Sequence, residues 1–279
     1  VSLRRAHGLT RPIKRLTAYA VAVRNGERAA PPELGRGEMA VMGQALEEMR
    51  DALEGKKYIE EYIQALTHEI KAPLTSIRGA AELLQEEMPA ENRARFLGNI
   101  QRESLRLQEL ADRLSTLAQL ETRKGLAEAA PVDLADVAHE VAADAAPQLE
   151  QKGLHLENRV AAGARLRGEP FLLRLAAGNL LQNAIDFTPA GGTITLAGTA
   201  GPAGVTLTVA DTGPGVPDYA LARVFEKFYS LQRPGTRQKS SGLGLAIVRE
   251  VAELHGGTAT LENQPGGGAL ATLTFPAVI

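Results

Sequence analysis

The 279-residue sequence has no cysteine and no tryptophan, and its aromatic share is only 4%. Without cysteine there is no disulfide, no thiolate zinc site and no cysteine nucleophile, a composition compatible with a reducing compartment. Few aromatics beside abundant Ala and Leu point to packing by helices rather than to an aromatic-rich β-sandwich. Positive charge is not in excess either: 31 Lys and Arg stand against 33 Asp and Glu, a formal net charge of -2. Counterion release from nucleic acid needs a basic face, so nucleic-acid binding is disfavoured. No run approaches the ~20 consecutive apolar residues of a transmembrane helix, and the start lacks a basic-then-apolar signal pattern. The sequence opens on Val1 rather than Met, as expected of a fragment, although removal of an initiator Met would look the same.

Apolar residues make up 44% and charged residues 23%, an ordinary globular balance. The length suggests two or three modules, and three segments differ in pattern. In the first, 1–55, Arg4, Arg5 and Arg11 precede a helix start at Pro12, followed by Ile13, Leu16, Ala20 and Val23 at helical spacing. A connector with Gly26, Pro31, Pro32, Gly35 and Gly37 leads to Met39, Met42, Leu46, Met49 and Leu53, spaced by three and four.

In the second, 56–125, a stripe of Tyr58, Tyr62, Leu66, Ile70, Leu74, Ile77, Ala81 and Leu84 runs to a turn at Pro89. A return helix carries Phe96, Ile100, Leu107, Leu110, Leu114, Leu117 and Leu120 on its apolar face. Two such helices bury little alone, so a homodimer forming a four-helix bundle is expected. The third, 126–279, alternates helices near 133–151, 169–187 and 241–255 with strands at 192–196, 205–209 and 271–275. This predicts an α/β sandwich with helices on a mixed sheet.

The chemistry-bearing residues fall into five clusters. His68 sits beside Glu69 on the first long helix, five residues before Pro73, where a bend is expected because proline removes a backbone donor. Neutral imidazole is a competent nucleophile near pH 7, and a neighbouring carboxylate can orient it or accept its proton. Asn179 and Asn183 lie four apart on one helix face, where amide oxygens can meet a hard cation and phosphates. Asp211-Thr212-Gly213-Pro214-Gly215 follows a strand directly, which places an acid beside a turn whose glycines admit close backbone approach. Ser241-Gly242-Leu243-Gly244 enters an apolar helix, whose first N–H groups attract phosphate. It has neither Rossmann nor Walker spacing. Between them, Val224 to Tyr229 and a polar stretch with Arg233, Pro234, Gly235, Arg237 and Lys239 form a long loop, read as a lid over a nucleotide.

Taken together and in this order, the clusters at 68–74, 179–183, 211–215, 225–228 and 242–244 resemble the H, N, G1, F and G2 boxes of sensor histidine kinases. The Thr10-Arg11-Pro12 entry and Glu38 resemble a HAMP linker, which extends the resemblance over nearly the whole chain. Gly79-Ala80-Ala81-Glu82, Asp186-Phe187-Thr188-Pro189, Phe228-Tyr229-Ser230-Leu231 and Lys239-Ser240-Ser241 look like the CreC-like branch of that family. The resemblance implies a HAMP-like helical linker, a HisKA four-helix bundle formed by dimerisation, and a Bergerat or GHKL-type ATP-binding α/β sandwich.

It implies ATP and Mg²⁺ as cofactors, His68 as phospho-acceptor and Glu69 as its activating carboxylate. Asn183 would hold Mg²⁺, Asn179 would support the phosphates and Asp211 would recognise adenine. Phe187, Gly213, Gly215, Lys227, Tyr229, Ser241, Gly242, Leu243 and Gly244 would complete the nucleotide site. The implied partners are a second copy of the chain and the receiver domain of a response regulator. The implied location is the cytoplasmic side of a bacterial inner-membrane sensor anchored upstream of residue 1, where the early arginines fit the positive-inside rule.

Two positions depart from the family pattern. Asp186 stands where Lys or Arg is common, and an ionised carboxylate cannot donate to phosphate; Lys227 and the basic residues of the lid are expected to compensate, or nucleotide affinity is modest. Ala72 stands where family members with regulator-phosphatase activity often carry Thr or Asn, so weak phosphatase activity is expected. The other histidines, His7, His139, His155 and His255, show no paired ligand spacing. Two alternatives remain at this point: a nucleotide-driven clamp of the GHKL type without histidine chemistry, and a dimeric signalling scaffold with a weak or vestigial nucleotide site.

Overall fold

The computed structural model describes residues 14–22, 30, 32, 38–202, 204–234 and 240–277. The 10–12 entry, the helix start at Pro12, Ile13, Val23, His7, and Gly26, Pro31, Gly35 and Gly37 lie outside these residues, as do Gly235, Arg237 and Lys239. So do the side chains of Met39, Leu46, Met49, Leu53 and Tyr58. The chain divides into two compact units, residues 1–67 and 68–279.

In the first unit, α1 is helical over 14–22 and buries Leu16 and Tyr19, which lie three apart on one face. Arg50 Nη1, on the long helix α2 (Glu38–Leu83), donates to the Tyr19 hydroxyl at 3.0 Å. Such a bond satisfies a phenol that burial would otherwise leave without a partner.

The second unit takes in the end of α2 and the return helix α3 (Ala90–Thr122). Helix α2 continues through Pro73, so the lost backbone donor there does not break it. Pro89 is the N-cap residue of α3 and marks the turn expected from the sequence. On α3, Leu110, Leu117 and Leu120 are buried, whereas Leu97 and Leu105 are exposed; on α2, Leu74 and Leu83 are exposed too. Among the described residues no helix is long and apolar enough to cross a membrane.

After the hairpin come β1 (Ala130–Asp133), α4 (Leu134–Lys152), β2 (His155–Val160), β3 (Arg165–Gly168) and α5 (Pro170–Phe187). Then follow β4 (Thr193–Gly201), β5 (Gly204–Asp211), the short α6 (Asp218–Leu221), α7 (Gly244–Leu254), β6 (Thr258–Asn263) and β7 (Ala269–Phe275). Strands β1 and β3 form an antiparallel ribbon, and the main sheet has the order β2-β4-β5-β7-β6, with only β2 and β4 parallel. This is the mixed sheet the sequence predicts.

The central strands alternate buried and part-buried positions, so Ile194, Leu196, Leu207, Val209, Leu273 and Phe275 all share one apolar core with residues of α4, α5 and α7. Each of these large side chains contributes about 1.5–3 kcal/mol on burial. Helix α4 is capped by Asp133, which accepts from the Ala135 N–H at 3.0 Å, and ends on Gly153 in the left-handed region, φ 63. Register pairs Ile194 with Asp211. That acid therefore ends β5 at the edge of the core, where the sheet stops and a turn begins.

Glu169, just before α5, joins the hairpin to this domain. Its carboxylate is ion-paired to Arg123 after α3 and accepts the Ala127 N–H at 2.6 Å, and the Arg123 guanidinium holds its pKa below the ordinary carboxylate range. Its own N–H donates to His255 Nε2 at 3.1 Å, while His255 Nδ1 lies 2.7 Å from the Val251 carbonyl. Burial pushes the His255 pKa down. His255 is thus a packing residue, edge-on to Phe275, as expected for a histidine without ligand spacing.

Candidate functional site

A cavity of about 520 Å³ opens in the second unit, lined by α3, α5, the end of β5 and the loops leading into α6 and α7. From α5 come Asn179, Gln182, Asn183, Asp186 and Phe187, spaced so that one helical face looks into it. Asn179 Nδ2 donates to the Leu175 carbonyl at 2.8 Å, which fixes the amide and leaves its oxygen beside Gly244. A Cβ on Gly244 would sit 2.9 Å from that oxygen. A side chain there would crowd the Asn179 amide, which packs directly on the backbone at the mouth of α7.

Asp211 is 8% exposed, and its Oδ1 accepts from the N–H of Gly213 at 2.8 Å and of Ala269 at 3.3 Å. Burial pushes its pKa up, against the pull of those two bonds. Two side chains that the sequence reading did not single out hold this turn. Asn263 accepts from the Val216 N–H and donates to the Val216 carbonyl, both at 2.7 Å, and Gln264 donates to the Asp211 carbonyl at 3.0 Å. The one local signal for them is the glycine run after Gln264, which includes Gly268, φ 88, packed on the Asp211 backbone.

On the opposite wall, Gly242 has φ 67 and Phe228 has φ 61, the one non-glycine residue with positive φ among those described. The Phe228 N–H donates to the Gly242 carbonyl at 2.9 Å, which locks the 228–229 backbone against the turn into α7. Ser230 and Ser240 hydroxyls meet at 3.1 Å across the same loop, and the Arg223 guanidinium lies 4.5 Å from the Tyr229 ring. Helix α7 has no side-chain cap on its N-terminus. Its first N–H groups are available to an anion.

Of the residues named from the sequence, Glu69, Asn179, Asn183, Phe187, Asp211, Gly215, Tyr229, Ser241, Gly242 and Gly244 line this one cavity. His68, Gly213, Lys227 and Leu243 do not. His68 is exposed on α2, Gly213 sits behind Asp211, and Leu243 is fully buried under the turn. Lys227 is ion-paired to Glu121 on α3 rather than facing the cavity. Glu69 reaches across the hairpin to Arg106, Oε2 to Nη2 at 3.4 Å. The sequence pairs that carboxylate with His68; its contact with a cation more than ~4 turns into the next helix has no local signature. Amide oxygens of Asn179 and Asn183 are hard donors suited to Mg²⁺ that keeps waters and phosphate oxygens in its shell. Among the described residues there is no cluster of three or more His, Cys, Asp or Glu able to hold a metal by themselves.

Three family models match the chain in succession. HAMP covers residues 5–55, the His Kinase A (phospho-acceptor) domain 58–123, and the histidine kinase-, DNA gyrase B- and HSP90-like ATPase 168–279. The sensor protein CreC of Escherichia coli K12 is 49% identical over 265 residues, which are 95% of this chain and 55% of CreC. Among solved structures, full-length ShkA in complex with AMPPNP is 28% identical with a TM-score of 0.56, covering 78% of this chain and 47% of ShkA. Acinetobacter baumannii AdeS, at 20% identity and a TM-score of 0.60 over 76% of this chain and 98% of AdeS, shares the fold. The chain spans about half the length of the curated relatives it matches.

Proposed function

The chain belongs to the sensor histidine kinases of two-component systems, and on that premise we propose that it phosphorylates its own His68 from MgATP and passes the phosphoryl group to a response-regulator aspartate. The observation that carries this reading is convergence: segments from 69 to 244 that resemble separate boxes of the family line a single cavity. In the reaction an imidazole nitrogen of His68 attacks the γ-phosphorus, the bond from phosphorus to the ADP oxygen breaks, and Glu69 takes the imidazole proton. Asp211 accepts a hydrogen bond from the adenine amino group, and the Gly242–Gly244 turn with the α7 N-terminus receives phosphate oxygens. Asn183 and Asn179 would hold Mg²⁺ and the phosphates, and the ion when bound would supply charge neutralisation for the transferring group. His68 is exposed and outside the cavity lining, so its imidazole reaches the γ-phosphorus through movement of the hairpin or across the dimer.

The exposed Leu74, Leu83, Leu97 and Leu105 support a homodimer, because an isolated two-helix hairpin leaves such residues in water. In this reading residues 1–55 form the linker, 56–125 the dimerisation and phosphotransfer hairpin and 126–279 the ATP domain of a membrane-anchored sensor's cytoplasmic part.

Transfer tests the proposal. Chain labelled from γ-labelled ATP and then freed of nucleotide should lose its label to a cognate receiver domain, found by screening a panel, with acid-labile phosphohistidine replaced by alkali-labile acyl phosphate. No transfer to any receiver would remove the response regulator from the account. The same labelled receiver should decay at nearly its own rate when chain and ADP are added. Ala72 is exposed on α2 and offers only a methyl group where a water would need a hydrogen-bonding partner. Strong acceleration would contradict that expectation.

A further inference from the structure

The cavity that would receive a polyphosphate contains a carboxylate. Asp186 lies three residues beyond Asn183 on α5, both line the cavity, and the Asp186 side chain is only 13% exposed. Arg233, from the loop after Tyr229, meets it with Nη2 2.5 Å from Oδ2. Gln182 Nε2 donates to the other carboxylate oxygen at 3.1 Å.

Among the described residues Lys152 and Arg113 also act on the Asp186 carboxylate through space, but neither is hydrogen-bonded to it or paired with it. Lys152 Nζ donates to the backbone carbonyls of Ile185 at 2.5 Å and Asp186 at 3.2 Å, capping the end of α5 rather than the carboxylate. The Arg113 guanidinium lies by Gly244 and Asn179. Arg233 Nε is buried without a hydrogen-bond partner, so the guanidinium holds this position despite an unsatisfied donor. Losing Arg233 leaves the more buried partner, Asp186, without its directly paired cation, which is the costly way to break such a pair. Burial already pushes the Asp186 pKa up while Arg233 opposes the shift.

We propose that Arg233 is the internal counter-ion of Asp186: it masks a carboxylate that would otherwise repel the nucleotide's phosphates, and this masking, rather than a bond from Arg233 to phosphate, is what it contributes to binding. Arg233 is then a positioning residue and Asp186 the source of the repulsion it cancels. The inference rests on the reading of the cavity as a nucleotide site.

The test is the dissociation constant for MgATP of the whole chain in wild type, Arg233→Met, Arg233→Lys and Asp186→Asn/Arg233→Met, with thermal melting of each. For two like unit charges ~5 Å apart at an effective dielectric near 20, the repulsion corresponds to a loss of roughly 10- to 100-fold after partial screening. Arg233→Met should show that loss, and Arg233→Lys should stay within about threefold of wild type because it keeps the charge. The decisive variant is the double one, which removes mask and charge together and should recover to within about fivefold of wild type. A double variant as weak as Arg233→Met overturns the inference, since Arg233 must then contact phosphate itself, and leaves the kinase reading standing. Wild-type affinity in Arg233→Met overturns it as well. A wild type that binds no MgATP brings down the nucleotide-site reading and this inference together.

Discussion

Asp211→Asn is expected to fold as well as the wild type and to lose MgATP affinity by about a hundredfold. One carboxylate oxygen, Oδ1, holds the turn through the N–H groups of Gly213 and Ala269. Asparagine keeps that acceptor but replaces the other oxygen with an NH₂ group, which would set a donor against the donating amino group of adenine. Stability should move the other way. The folded-state pKa of Asp211 is raised by burial, so the stability linked to this group is present below its unfolded pKa and lost as pH rises through the folded value. At pH 7 the buried charge is therefore a net cost, and the neutral amide removes it. The melting temperature of Asp211→Asn should equal or exceed that of the wild type at pH 7, and the gap should narrow as pH falls into the carboxylate range. Calorimetric titration with MgATP beside thermal melts separates the two effects. Unchanged affinity would mean that adenine is read elsewhere; a collapsed melting temperature would make the carboxylate structural.

Gly242→Ala should have an effect nearly as large for a different reason. The residue sits at φ 67, and an added Cβ would lie 2.5 Å from the Phe228 carbonyl carbon and 2.8 Å from the Tyr229 nitrogen. Both neighbours are backbone, and Phe228 itself is held at φ 61 by its bond to the Gly242 carbonyl. Alanine at positive φ costs about 1 kcal/mol before any clash, and relief of the clash must separate the 228–229 backbone from the turn into α7. That turn is the cavity wall proposed to receive phosphate. An affinity loss of at least tenfold is expected, with a melting-temperature drop of a few degrees at about 2–4 °C per kcal/mol for a domain of this size. Binding equal to wild type would show that the wall tolerates the shift and that phosphate is held elsewhere.

Both predictions concern motif residues that are legible in the sequence, for a physical reason. A glycine with no freedom to be anything else, or an acid ending a strand of alternating pattern, writes its constraint locally. The same holds for α3, α5, β4, β5 and β7, whose periodicities follow from a buried face. Strands β2 and β6 escape such reading. They are the edges of the sheet, and His155-Leu156-Glu157-Asn158-Arg159-Val160 is polar because an edge remains in water. The four-residue β1 and β3 carry too few positions for any period to show.

In the site, what the sequence leaves hidden are partners brought together only by the fold. Asn263 reaches Val216 across 47 positions, and Arg106 reaches Glu69 across 37. Lys227 illustrates the converse. Its place between Phe225 and Phe228 suggests a phosphate contact, but the side chain turns to Glu121 because α3 presents an acid there. Asp186, which from the sequence stands out as a departure from the family pattern, gains its counter-charge from Arg233, a residue of the loop expected to supply basic groups.

The measurement that bears most directly on the whole account is incubation of the chain with γ-labelled ATP and Mg²⁺, wild type against His68→Gln, with the label challenged by acid and by alkali. The account predicts acid-labile, alkali-stable label on the wild type and none on His68→Gln, although the variant should still bind MgATP, since His68 is exposed and stands off the cavity wall. Label that persists in His68→Gln, or a wild type that binds MgATP and takes up no label, would contradict it and favour a nucleotide clamp or a signalling scaffold.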